Sequence, residues 1–459
     1  MTPDEFRRHG HQAIDWIADF LENPARYPVL PSVKPGELTD ALPASGPECG
    51  ESMDRIFADF ERLIVPAMTH WNHPGFLAYF ANSSTGEGIL GELFTAALNG
   101  NGMLWKTSPA VTELEQVALR WLREWSGLPE SWFGLIYDTA STSSMHAIAA
   151  AREAADPDSR TKGARPGLVV YTSQQAHSSI EKGAIAVGIG QDYVRKIDVD
   201  DDYRMRPDAL AAAIESDLAA GLRPCCVSAT VGTTSTTSID PIPAIADLCE
   251  RHNLWLHVDT AYAGAAAILP EMRWAFAGCD RADSLVTNPH KWLLTPMDCS
   301  ILYTRRPEIL RRAFSLIPEY LQTAQDPRAI NLMDYGIPLG RRFRALKLWF
   351  ILRSFGREAL AARIRAHIEM AQTFAREIDA HPAFERVAPA PFSVVNFRYT
   401  GSDDDNRRIL EKLNSTGEVF LSSTVLKNRF TLHLAVGNYG TTPQHIAKAW
   451  SLLKSAAGV

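Results

Sequence analysis

No stretch of this chain approaches the ~18 consecutive apolar residues that a membrane span needs. Cysteine is scarce: six in 459 residues (Cys49, Cys225, Cys226, Cys249, Cys279 and Cys299), without the density of a disulfide scaffold or the paired spacing of a metal site. Cys225-Cys226 lies in an apolar, strand-like run, the usual setting of a buried thiol, and a reducing interior suits all six. Basic residues are in deficit, with a formal net charge of −7, so the basic face of a nucleic-acid binder is not expected. Internal repeats and low-complexity tracts are missing. The stretch Met1 to Leu21 is no secretory signal, because Asp4, Glu5, Arg7, Arg8, Asp15 and Asp19 interrupt every apolar run. The chain reads as cytoplasmic. What is left, 46% hydrophobic and 22% charged, is the make-up of a soluble globular protein. Its length suits two or three domains.

Hydrophobic periodicity divides the chain into three. Residues 1–83 read as a helical arm with a Pro-rich connector (Pro24, Pro28, Pro31, Pro35). In its first helix Phe6, Ala13, Ile14, Ile17, Ala18 and Leu21 form an apolar face that needs a partner surface, and protein suits its acidic polar side better than membrane. Residues 84–357 alternate strand-like runs (Leu168–Tyr171, Cys225–Thr230, Leu254–Val258, Leu285–Thr287) with helix-sized segments, predicting an α/β domain with a mainly parallel sheet flanked by helices. One such helix opens at Ser108-Pro109, an N-cap and first-turn proline. Residues 358–459 restart as a small α+β domain: a helix over Leu360–Ile378, strand-like runs at Phe392–Phe397 and Phe430–Val436, and a last helix near Ile446–Leu453. Asp403-Asp404-Asp405 reads as a solvated loop tip.

Ligands of open α/β sheets gather beyond the carboxyl ends of the strands, and several reactive groups are expected there. Lys291, in Asn288-Pro289-His290-Lys291-Trp292, directly follows an apolar run; a desolvated lysine is an amine nucleophile. It is the residue hardest to explain structurally, since lysines rarely sit in apolar company. Asp259 ends the Leu254–Val258 run, and a buried carboxylate needs a cation, either a protonated pyridine nitrogen or an arginine. An amine and a ring-nitrogen anion are the minimal equipment for pyridoxal 5'-phosphate chemistry. Asp138-Thr139-Ala140-Ser141-Thr142-Ser143-Ser144 precedes a strong helix and offers either a phosphate cradle or a Ser/Thr-rich cap. His177 follows the Val169–Ser173 run, positioned to lie against a cofactor ring or to be structural. Val231-Gly232-Thr233-Thr234-Ser235 adds hydroxyls at the same edge, or is a polar turn.

Together, NPHKW, HVDTAYAG, QAHSSIEKGA, SPAVTELE, ATVGTTSTTSID and IPLGRRFRALKLWF resemble the pyridoxal-phosphate decarboxylases of the aromatic-L-amino-acid decarboxylase family, in family order along essentially the whole chain. The resemblance implies a PLP-dependent transferase fold of type I, a sheet of the seven-stranded kind, and a homodimer whose amino-terminal arm wraps the partner. It implies decarboxylation of aromatic L-amino acids (tryptophan, phenylalanine, DOPA or tyrosine) to arylalkylamines and CO2. By position Lys291 resembles the cofactor-binding lysine, Asp259 the partner of the pyridinium nitrogen and His177 the stacking histidine. Ala261 falls where the other ring face is covered. Ala140, Ser141, Asn288 and His290 match phosphate-site positions, and Thr234 a threonine close to the cofactor. Tyr320 falls where the family carries its catalytic tyrosine on a mobile loop, and the polar, proline-containing Gln322–Ile330 suits a lid.

The substrate pocket implied by the resemblance comprises Trp71, Tyr79, Phe80, Asn82 and His177, with Asn101 and Met103 supplied by the other subunit. The sequence departs from the family here. Relatives commonly carry proline and threonine where Ala81 and Asn82 stand, and animal members carry bulky apolar residues at positions 101 and 103. Gly340 occupies a position where relatives acting on histidine or tyrosine often carry serine, and glycine leaves room for an indole or catechol. Competing readings are an aromatic aldehyde synthase, a histidine or other amino-acid decarboxylase, and a catalytically silent dimeric scaffold with Lys291 structural. The aromatic Trp71, Tyr79 and Phe80 argue against a glutamate decarboxylase, which needs a cation for the distal carboxylate.

Overall fold

The computed structural model describes residues 1–316 and 329–459. Its centre is a seven-stranded sheet: β1 (Phe133–Tyr137), β2 (Leu168–Ser173), β3 (Val194–Ile197), β4 (Arg223–Thr230), β5 (Trp255–Asp259), β6 (Ser284–Thr287) and β7 (Ser300–Thr304), in the order β1-β7-β6-β5-β4-β2-β3. All neighbours are parallel except β7, which runs against both β1 and β6. Strands β2 and β5 are buried along their whole length, which explains their continuous apolar sequence: helices cover both faces, leaving no solvent side to be polar. The sheet and covering helices match the fold-type I expectation.

Helices begin and end where capping chemistry dictates. The Pro3–Glu22 helix opens on a Thr2–Glu5 capping box, and only His9 of it is buried. The expected helix after Ser108 spans Pro109–Ser126 and stops at Gly127 in the left-handed conformation. The helix anticipated from Leu360 is longer, Arg344–Ala380. Its amino-terminal half buries Leu348, Ile351 and Leu352, and Gly356 (φ 66°) breaks it before its second half.

That second half packs on an antiparallel sheet of β8 (Phe384–Arg386), β9 (Val394–Tyr399), β10 (Ser422–Leu426) and β11 (Arg429–Ala435), ordered β10-β11-β9-β8. The Asp403–Asp405 run is not a loop tip. It forms the first turn of the Asp403–Asn414 helix, capped by Ser402 and Asp405, where carboxylates complement the helix dipole.

Candidate active site

One cleft opens at the carboxyl ends of β1, β4, β5 and β6. Phe80, Thr139, Ala140, Ser141, His177, Ser179, Thr230, Gly232, Thr234, Asp259, Ala261, Tyr262, Asn288, His290 and Lys291 line it. The structure thus brings together all nine residues expected to hold the cofactor, plus Phe80.

Lys291 is the third residue of the short Pro289–Trp292 helix just beyond β6. Burial pushes its ammonium below the ordinary lysine value, while the charge of Asp259 pulls the other way. Among the described residues Nζ makes no ion pair; its contact is with the face of Phe80, 4.9 Å from the ring centroid. Lys347 is more deeply buried, yet it is neutralised by an ion pair with Glu92. What distinguishes Lys291 is therefore the lack of a carboxylate bonded to it.

Asp259 ends β5 with its Oδ1 accepting the Ala261 N–H at 2.9 Å. Among the described residues no arginine or lysine pairs with it, so the arginine alternative falls away. His177 accepts the Ser179 N–H at Nδ1 (3.2 Å), and Ser179 Oγ lies 2.8 Å from the same nitrogen. Its proton is therefore on Nε2, and desolvation in the cleft holds the ring below the ordinary histidine value, hence neutral.

At the opposite end the Ala140–Ala155 helix starts in the cleft, and its N-cap Thr139 directs Oγ1 at the Thr142 N–H, leaving the Ala140 and Ser141 amides forward of the cap. His290 accepts the Cys299 N–H at Nδ1 (2.9 Å), so its Nε2 also carries the proton; burial lowers its pKa to about 4. Two buried polar atoms of cleft residues, Thr230 Oγ1 and Asn288 Oδ1, have no partner among the described residues. Orphaned groups of this kind, a carboxylate without a cation, and a helix start with neutral N–H donors fit one occupant: a phosphorylated, cationic heteroaromatic ring with an aldehyde for Lys291.

Thr139 and Gly232 fall within the two small-residue stretches singled out in the sequence, whereas Ser179, Thr230 and Tyr262 were not named as candidates. Thr230 was within reach, since it ends the run that pairs with β5 and lies directly across from Asp259. Tyr262 covers the back of Phe80, ring to ring at 4.0 Å.

The remaining substrate-pocket candidates do not line this cleft. Trp71 packs on Phe76, and Tyr79 is exposed with a left-handed φ of 49°. Asn82 contacts Met297. Asn101, Met103 and Gly340 gather elsewhere: Arg341 N–H donates to Asn101 Oδ1 (3.0 Å), Gly102 N–H to the Arg341 carbonyl (2.9 Å) and Met333 N–H to the Met103 carbonyl (3.2 Å). A buried ion pair, Arg341–Glu115 at 2.9 Å, anchors this group to β1. Tyr320 lies outside the described residues.

The conserved domain of the pyridoxal-dependent decarboxylases matches residues 35–400. This chain belongs to that family. Its cofactor is pyridoxal 5'-phosphate. Tryptophan decarboxylase 2 of Oryza sativa subsp. japonica is 39% identical over 474 residues, covering 100% of this chain and 95% of the relative. The phenylacetaldehyde synthase of Arabidopsis thaliana is likewise 39% identical over 474 residues, covering 100% of this chain and 96% of its own length. The crystal structure of Oryza sativa TDC with PLP and tryptamine superposes with a TM-score of 0.97 at 37% identity, over 100% of this chain and 98% of that one. No helix among the described residues is long and apolar enough to cross a membrane.

Proposed function

We propose that this decarboxylase acts on aromatic L-amino acids, releasing CO2 and the arylalkylamine, as a cytoplasmic homodimer. The observation that carries the chemistry is the convergence in one cleft of an amine (Lys291) and a carboxylate (Asp259) that make no ion pair among the described residues, together with an open helix start (Ala140–Ser141). Lys291 would hold the cofactor through Nζ, Asp259 would keep a proton on its ring nitrogen, and the Ala140 and Ser141 amides, Asn288 and His290 Nε2 would take the phosphate. Thr234 would stand beside the ring and Ala261 against one face of it. When bound, pyridoxal 5'-phosphate supplies an electron sink for the pair released as the carboxylate leaves.

The protein's own groups do the rest. His177, with its proton on Nε2, would stack on the ring and steer the substrate carboxylate. Of the three aromatic candidates Phe80 is the one that lines the cleft, and it would receive a flat apolar side chain. Tyr320 would return a proton to Cα, a role that rests on its place in Pro318-Glu319-Tyr320-Leu321.

Two features support the dimer. Asn101, Met103 and Gly340 cluster away from the cleft of their own chain, as residues serving a partner's pocket must. The Gly86–Leu98 helix exposes Leu90, Leu93, Phe94 and Leu98 on one side. Six free cysteines, five of them buried, suit a reducing compartment.

The second reading, an aldehyde synthase, is favoured by the equal similarity to the phenylacetaldehyde synthase. It would consume O2 and one water and yield aldehyde, ammonia and peroxide with CO2. The presence of both His177 and Tyr320 favours the amine. A mass-spectrometric panel of L-amino acids separates the two: amine from tryptophan, phenylalanine, DOPA or tyrosine is expected. Aldehyde as the main product, or turnover confined to non-aromatic substrates, would overturn the reading. Tyr320→Phe should shift product toward aldehyde while retaining cofactor.

A further inference from the structure

Three separate elements would grip the cofactor: the start of the Ala140–Ala155 helix, Asp259 on β5, and Lys291 beyond β6. Their spacing must be set by the protein, and one buried side chain ties all three together. His257 precedes Asp259 by two residues on β5, so both side chains leave the same face of the sheet. The residue is 0% exposed. Its Nε2 lies 3.1 Å from Ser144 Oγ, in the second turn of the phosphate helix. Its Nδ1 lies 2.9 Å from Ser284 Oγ, the first residue of β6, and Ser284 Oγ also accepts the Trp255 Nε1–H at 2.9 Å.

Both ring nitrogens are thus satisfied. Burial lowers the pKa to about 4, so the imidazole is neutral, with one donor and one acceptor. A neutral ring bonded at both edges is a directional spacer of fixed width between the helix and strands β5 and β6, beside the separate Ser143 Oγ–Ser300 Oγ bond (2.8 Å) that ties the same helix to β7.

We propose that His257 is a positioning residue that fixes the distance from the Ala140–Ser141 amides to Asp259, and thereby makes the cleft select the phosphorylated cofactor over its dephosphorylated form. The proposal rests on the cleft being the pyridoxal-phosphate site. The role is confined to geometry, since the ring does not line the cleft.

The test uses full-length protein stripped of cofactor and titrated separately with pyridoxal 5'-phosphate and with pyridoxal, following tryptophan fluorescence. The wild type, His257→Phe and Ser144→Ala are compared, with circular dichroism as the check on folding. His257→Phe should weaken pyridoxal phosphate roughly tenfold, the loss expected of a buried hydrogen-bonded tie, while changing pyridoxal less than about twofold. Ser144→Ala cuts only the tie to the helix and should reproduce most of that narrowing, so the test survives even if the His257 variant does not fold. An unchanged ratio of the two dissociation constants in Ser144→Ala, or equal weakening of both ligands, overturns the proposal. Failure of the wild type to bind pyridoxal phosphate would instead contradict the active-site reading itself, and the proposal with it.

Discussion

Phe80 stacks on Tyr262 with ring centroids 4.0 Å apart, and the other face of Tyr262 stacks on Trp292 at 4.6 Å. The exposed end of this three-ring column lies under Lys291 Nζ, and its buried end is the residue following Lys291. The column therefore braces both the tip of the lysine and the backbone that carries it. Phe80, expected as a wall for substrate, has this second task.

Phe80→Ala removes one ring of the column and leaves a gap beside Tyr262. A loss of about 2 kcal/mol in unfolding free energy is expected, below the value for a fully buried phenylalanine because Phe80 is only half-buried. Urea denaturation measures it. Wild-type stability would show that the column bears no weight.

Asp259→Asn keeps the acceptor for the Ala261 N–H and removes only the charge. Turnover should fall on the order of 10²–10³-fold, the scale of losing one preorganised electrostatic partner, while stability changes by less than about 1 kcal/mol. Steady-state kinetics and thermal unfolding, read together, check it. A large stability loss with little kinetic effect would make Asp259 structural.

His367 accepts the Trp292 Nε1–H at Nδ1 (3.0 Å), so its proton is on Nε2, which is buried and faces the Asn438 backbone. Burial pushes its pKa to about 3, against 6.5 for a free histidine. With the folded pKa depressed, the unfolded chain binds the extra proton first. Stability is complete above about pH 6.5 and drains away as pH falls toward the folded value. At pH 5 the loss from this one histidine is on the order of 2 kcal/mol. His146, His257 and His290, each lowered to about 4, push in the same direction. His367→Leu should cost about 1–3 kcal/mol at pH 7 by stranding the indole N–H, yet flatten the fall between pH 7 and pH 5. Unfolding curves at the two pH values decide it, and a slope identical to wild type would contradict it.

Leu93→Glu places a charge in the middle of the exposed apolar stripe of the Gly86–Leu98 helix. If a second copy covers that stripe, the variant should sediment as a monomer and lose most of its activity, because Asn101 and Met103 would no longer reach a partner's pocket. Analytical ultracentrifugation gives the answer, and an unaltered sedimentation coefficient would remove this helix from the interface.

Much of this was legible in the sequence because buried parallel strands must be apolar throughout. Runs such as Leu168–Ser173 and Trp255–Asp259 announce themselves, and so do the polar residues that end them. β3 (Val194–Ile197) was not legible, being short and half-polar at the sheet edge, nor was β7 (Ser300–Thr304), whose reversed direction no local pattern encodes. Asp403–Asp405 misled because a charged run suits a loop and a helix start equally until the Ser402–Asp405 cap is seen. Lys291, Asp259 and His177 could be singled out by residue type and position. The link from His257 to Ser144 and Ser284 could not, because it depends on strand register and helix docking across 113 and 27 residues of chain.

The most direct test asks which lysine carries the cofactor. Purified protein is incubated with pyridoxal 5'-phosphate, reduced with borohydride, digested and mapped by mass spectrometry. The expected result is a single covalent adduct on Lys291, with both the adduct and the visible absorbance of the lysine-bound cofactor lost in Lys291→Ala, and decarboxylation falling to background. An adduct on Lys182 or Lys347, or undiminished turnover in Lys291→Ala, would contradict it.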